Sequence, residues 1–69
     1  MNITSEMMAN VWKLAVKESD QVQAGQVLMI LESMKMEIPV ETPTSGTVVE
    51  LPVTEGQAVE DGQLLARVE

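Results

Sequence analysis

The chain has 69 residues, with four Lys or Arg against eleven Asp or Glu, no His, no Cys, no Tyr and one aromatic side chain, Trp12. That length holds a single small domain with a thin core, and a net charge of −7 disfavours nucleic acid and anionic membranes, both of which are bound through basic side chains. Without Cys there is no disulfide, thiolate nucleophile or Cys-built metal site, and without His or Tyr the chain is poorly equipped for proton transfer near pH 7. If the domain takes part in chemistry, the reactive group is brought in.

In chain order, the first residues show neither a basic n-region nor an apolar h-region, so no secretory signal is expected. Trp12, Leu14 and Val16 then alternate with Lys13, Ala15 and Lys17, the period-two pattern of a half-buried strand with the Trp12 row facing inward. A turn at Glu18-Ser19-Asp20 leads to a short step through Val22. A second turn carries Gly25, where glycine supplies a positive φ at little steric cost. The apolar strand Val27–Leu31 follows, and its parity does not show which side faces the core. It is also far too short to span a bilayer.

Next come Glu32-Ser33-Met34-Lys35-Met36 and the extended stretch Glu37–Val40, which together read as a tight hairpin. Beyond it the pattern recurs. Val49, Leu51 and Val53 alternate with Glu50, Pro52 and Thr54, then come a turn at Glu55-Gly56-Gln57, a step through Val59, a turn at Gly62 and the apolar strand Leu64–Val68. An offset of 37 lays residues 9–32 on 46–69 without a gap, with nine identities in 24 positions. They are Val11/Val48, Leu14/Leu51, Val16/Val53, Glu18/Glu55, Val22/Val59, Gly25/Gly62, Gln26/Gln63, Leu28/Leu65 and Glu32/Glu69. No stretch has helical periodicity. The expectation is an all-β fold: a flattened β-barrel or sandwich of two quasi-symmetric four-stranded halves. One domain spans residues 1–69, its repeat halves at about 9–32 and 46–69, linked by the hairpin segment 33–45.

Function is sought in that link. A lysine at a hairpin tip holds a primary amine on a four-carbon stem away from the fold, open to a second protein's active site. Met34 and Met36 beside it offer flexible, polarisable contacts to such a partner. The residues alone allow a plainer alternative, in which Lys35 is a solvated turn charge and the two methionines belong to the core.

The Glu32–Met36 stretch resembles the attachment motif of the biotinyl domains of biotin-dependent carboxylases. The resemblance extends to Val16-Lys17-Glu18-Ser19-Asp20, Gly25-Gln26-Val27-Leu28, Thr42-Pro43, Gly46-Thr47-Val48, Glu55-Gly56 and Gly62-Gln63-Leu64-Leu65, covering roughly residues 7–69. The chain is most similar to the free-standing biotin/lipoyl attachment proteins of bacteria. Three departures stand out. Ser19 occupies a place usually held by glycine, and Ser33 one where alanine is more frequent. The ungapped repeat also leaves no room for the thumb insertion of bacterial acetyl-CoA carboxylase carriers.

The resemblance implies a non-catalytic carrier. Its Lys35 would receive biotin from a biotin protein ligase as an amide, with Glu32, Met34 and Met36 read by the ligase. Nothing in this chain can activate that amine, so the ligase must supply the activation. The arm would then shuttle a carboxyl group between biotin carboxylase and carboxyltransferase subunits. The runner-up is a lipoyl carrier for acyl transfer in a 2-oxoacid dehydrogenase complex, although Met34 stands where lipoyl domains usually place an aspartate. A third reading is an unmodified structural domain of the same fold. A cytoplasmic monomer is expected, with no metal, nucleic-acid or membrane partner.

Overall fold

A computed structural model describes residues 1–69 and contains strands and turns only. The eight strands are β1 (Asn2–Thr4), β2 (Ala9–Leu14), β3 (Gln21–Val22), β4 (Val27–Ser33), β5 (Met36–Glu41), β6 (Gly46–Glu50), β7 (Ala58–Val59) and β8 (Leu64–Val68). They form two four-stranded antiparallel sheets in the orders β1-β8-β6-β3 and β5-β4-β2-β7. The offset of 37 seen in the sequence exchanges the two sheets strand for strand. It also carries β1 onto Pro39–Glu41 of β5, so part of the hairpin segment 33–45 is itself a strand with a counterpart near the N-terminus.

The halves interleave. Each sheet takes two strands from the first half of the chain and two from the second. Neither half can therefore complete its ladders or its core alone, because its outer strands pair with the other half.

The core follows the same symmetry. Val11 and Val48, Val16 and Val53, Val22 and Val59, Leu28 and Leu65, and Leu31 and Val68 are all buried, and buried Met29 has the smaller buried Ala66 as its counterpart. The two buried polar side chains are also counterparts: Ser5 Oγ donates to the Met7 carbonyl at 2.6 Å and Thr42 Oγ1 to the Thr44 carbonyl at 2.7 Å. Each hydroxyl is thereby satisfied inside a local turn, as burial of a polar group requires.

One expectation is corrected. Trp12 does not face inward; it is 44% exposed, and Val11 is buried in its place. The cause is a β-bulge. Val11 pairs with Leu31 and Lys13 with Ile30, so Trp12 is an extra residue that resets the inward–outward phase. A bulge between Val48 and Glu50 does the same in the second half, turning Val49 outward and Val48 into the core. Strand β2 also ends at Leu14, which leaves Lys17 in the following turn, its amide donating to Asp20 Oδ2 at 3.0 Å.

That turn holds Ser19 at φ 79°, while its counterpart Gly56 sits at φ 87°. Both amides donate across to the opposite half at 2.7 Å, Ser19 to the Val48 carbonyl and Gly56 to that of Val11. The geometry suits glycine and strains serine. Ser19→Gly is therefore expected to stabilise the domain by up to about 1 kcal/mol, partly offset by the unfolded-chain entropy that glycine adds. Chemical denaturation measures this, and a clear loss of stability would contradict it.

Gly46 is required for a different reason. A Cβ there would lie 2.5 Å from the Glu69 carbonyl oxygen and 3.0 Å from Val68 Cγ1. Backbone must shift to admit it, and Gly46→Ala is expected to destabilise by roughly 1–3 kcal/mol in the same assay.

Candidate functional site: the β4–β5 hairpin

Strands β4 and β5 pair in register from Ser33↔Met36 and Glu32↔Glu37 back to Leu31↔Ile38 and Ile30↔Pro39. Only Met34 and Lys35 remain to make the turn. A two-residue hairpin matches strand twist when both central residues have positive φ, a geometry that favours Asn-Gly. Met34 and Lys35 adopt it, at φ 53° and 66°.

Apart from Ser19, these are the chain's only non-glycine residues with positive φ. A side chain held there costs on the order of 1 kcal/mol per residue. The tip thus carries residues that its own backbone geometry disfavours, which directs attention to what their side chains do.

They reach into solvent. Met34 is 92% and Met36 65% exposed, and Lys35 is exposed between them. The alternative that placed both methionines in the core is excluded. Lys35 forms no ion pair, since both salt bridges of the molecule belong to Arg67 on the other sheet. Its amine is held by nothing in this chain.

Glu32 is exposed and lies opposite Glu37 in the ladder, with Asn10 of β2 on its other side. The sequence singled out Glu32, Met34, Lys35 and Met36, and all four lie within one hairpin. It did not reveal the Glu32–Glu37 juxtaposition, which follows from the two-residue loop length. Nor did it reveal the positive φ at the tip, because no glycine or asparagine marks it. No cluster of His, Cys, Asp or Glu capable of holding a metal ion is present, and no helix is long and apolar enough to cross a membrane.

Fold and site together define a class: a small two-fold barrel of interleaved strands that presents a lysine at the tip of one hairpin. The chain belongs to the biotin/lipoyl attachment family, whose model, described as "biotin-requiring enzyme", matches residues 1–68. It is 46% identical over 65 residues to the biotin/lipoyl attachment protein of Bacillus subtilis, covering 94% of this chain and 89% of that protein. It is 42% identical to a Mycobacterium leprae protein named as a biotinylated protein TB7.3 homolog, covering 94% of this chain and 92% of that one.

Among solved structures, a segment of the urea carboxylase of Kluyveromyces lactis superposes with a TM-score of 0.92 at 33% identity, covering all of this chain and 6% of that enzyme. The lipoyl domain of the Azotobacter vinelandii 2-oxoglutarate dehydrogenase complex superposes with a TM-score of 0.87 at 20% identity, over 100% of this chain and 95% of that domain. That second likeness shows a shared fold.

Proposed function

We propose that Lys35 Nζ bears biotin as an amide, and that the domain is a carboxyl carrier presenting this arm in turn to biotin carboxylase and carboxyltransferase sites. When bound, the biotin ring supplies the atom that accepts and releases the carboxyl group. The chain supplies placement. Its β4–β5 ladder fixes where the arm is rooted, and the tether raises the cofactor's effective concentration at each partner.

The observation that carries this reading is the unpaired Lys35 amine on a two-residue turn, between two methionines that nothing in the fold covers. Supporting it are the family membership and the relatives named above, two of them about this chain's own length. Glu32, Met34 and Met36 form the surface that the biotin protein ligase reads around the lysine. The carrier contributes no catalytic group; the ligase and the carboxylase subunits do. A cytoplasmic location agrees with a carrier that must meet such enzymes.

Intact-mass measurement of the protein isolated from its native host, followed by peptide mapping, tests the reading. A biotinyl increment on the peptide containing Lys35 is expected. A lipoyl increment there would transfer the same geometry to acyl transfer, and an unmodified chain would overturn the carrier function.

A further inference from the structure

The pseudo-two-fold sets the outer faces of the two sheets side by side as an internal comparison, since their backbones match and their side chains do not. On the face of the sheet that carries Lys35, Trp12 and Lys13 at the bulge lie opposite Ile30, which pairs on its other side with Pro39. The corresponding residues of the other sheet are Val49, Glu50, Arg67 and Asn2. There Arg67 Nε donates to Glu50 Oε1 at 2.9 Å, and the guanidinium also pairs with Glu69. That face satisfies its own charges.

The Trp12 face does not. The indole is 44% exposed, Ile30 is half-buried and Pro39 is exposed, a row of apolar groups in an otherwise strongly acidic molecule. Lys13 Nζ lies 5.9 Å from the ring centroid and covers part of the indole. Glu32, Glu37 and Glu41 stand along the same face without ion-pair partners, Glu32 directly opposite Glu37. Like charges facing across a ladder destabilise it. An exposed tryptophan bordered by unpaired carboxylates is the composition of a binding hot spot with a charged rim.

We infer that this face, centred on Trp12 with Ile30 and Pro39, is where the biotin protein ligase docks, through an apolar depression bordered by Lys and Arg side chains. The inference rests on the proposed biotinylation of Lys35 and adds the surface that positions it. Geometry favours the ligase over the later partners. The unmodified amine reaches no farther than its four-carbon stem, so the ligase must close over the hairpin and rest on the sheet beside it. Trp12 lies about 10–13 Å from the tip, three to four residues along the ladder. Once the biotin chain is added, partners can engage the arm from farther away.

Two measurements test this with the whole chain and its host's purified biotin protein ligase. In the first, isotope-labelled Lys35→Ala protein is titrated with unlabelled ligase and followed by NMR. The single indole N–H and the Ile30 amide are expected to shift or broaden while Val49 and Arg67 stay in place. Perturbation centred on Val49 and Arg67 would overturn the assignment. In the second, Trp12→Val, which installs the residue found at the equivalent position 49, is expected to raise the ligase KM about tenfold or more with kcat within about twofold. A KM within twofold of the parent's would overturn the docking face while leaving the carrier function intact. A parent chain that acquires no biotin at Lys35 would overturn the functional reading itself.

Discussion

Lys35→Ala is expected to abolish biotin incorporation completely while changing the stability of the domain by no more than about 0.5 kcal/mol. The two halves of that expectation have separate causes. Incorporation needs a primary amine that can enter a second protein's active site, and Lys35 alone stands at a hairpin tip. Lys13 is held over the Trp12 indole on a sheet face, and Lys17 lies in the hydrogen-bonded turn after β2. Stability hardly responds because the Lys35 side chain makes no ion pair and is exposed. Alanine inherits the same positive φ, so the backbone strain at the tip is nearly unchanged. Mass spectrometry after incubation with ligase, ATP and biotin reads the first half, and denaturant titration the second. Biotin found on Lys13 or Lys17 would sink the reading of the hairpin. An unfolded variant would show that the lysine is structural.

Met34→Asp is expected to lower the rate of biotinylation a hundredfold or more and to improve lipoylation by a lipoate ligase. Met34 is 92% exposed, so the fold gains nothing from burying it; its apolar surface is available to a partner. A ligase that closes over Lys35 would bury that thioether. Aspartate in its place removes the contact and introduces a carboxylate that must be desolvated or paired, together a few kcal/mol in the complex. Aspartate also tolerates positive φ better than methionine, so the hairpin should keep its shape and Lys35 its reach. Initial rates with purified ligases measure the effect. A variant biotinylated as fast as its parent would show that Met34 is not a recognition element.

Both substitutions act on residues that were identifiable from the amino-acid sequence, because the reasons for choosing them are local. The hairpin is bracketed by the apolar run Val27–Leu31 and the extended stretch to Val40, and Lys35 lies midway. The alternative that put Met34 and Met36 in the core rested on strand periodicity, which carries through a two-residue turn without marking it. Only loop closure at Ser33↔Met36 shows that Met34 is a turn residue and that both methionines are exposed. Ser19 was legible for a similar reason. Its repeat partner is Gly56, and a turn that uses glycine in one copy asks for the same φ in the other.

By itself, the sequence determined the all-β class, the internal repeat at an offset of 37, and the position of Lys35 in the link between the two copies. These depend on period, composition and ungapped register, which are properties of the chain. Tertiary structure decided three other things. It decided that the halves interleave across both sheets, because which strand pairs with which is settled by closing the common core and not by any one strand's pattern. It decided the inward–outward phase of β2 and β6, where a bulge adds a residue that no periodicity records, burying Val11 and turning Trp12 to solvent. And it decided that Glu32 faces Glu37 beside an exposed indole, since cross-strand neighbours depend on loop length and register, and a one-residue slip sends every side chain to the opposite face.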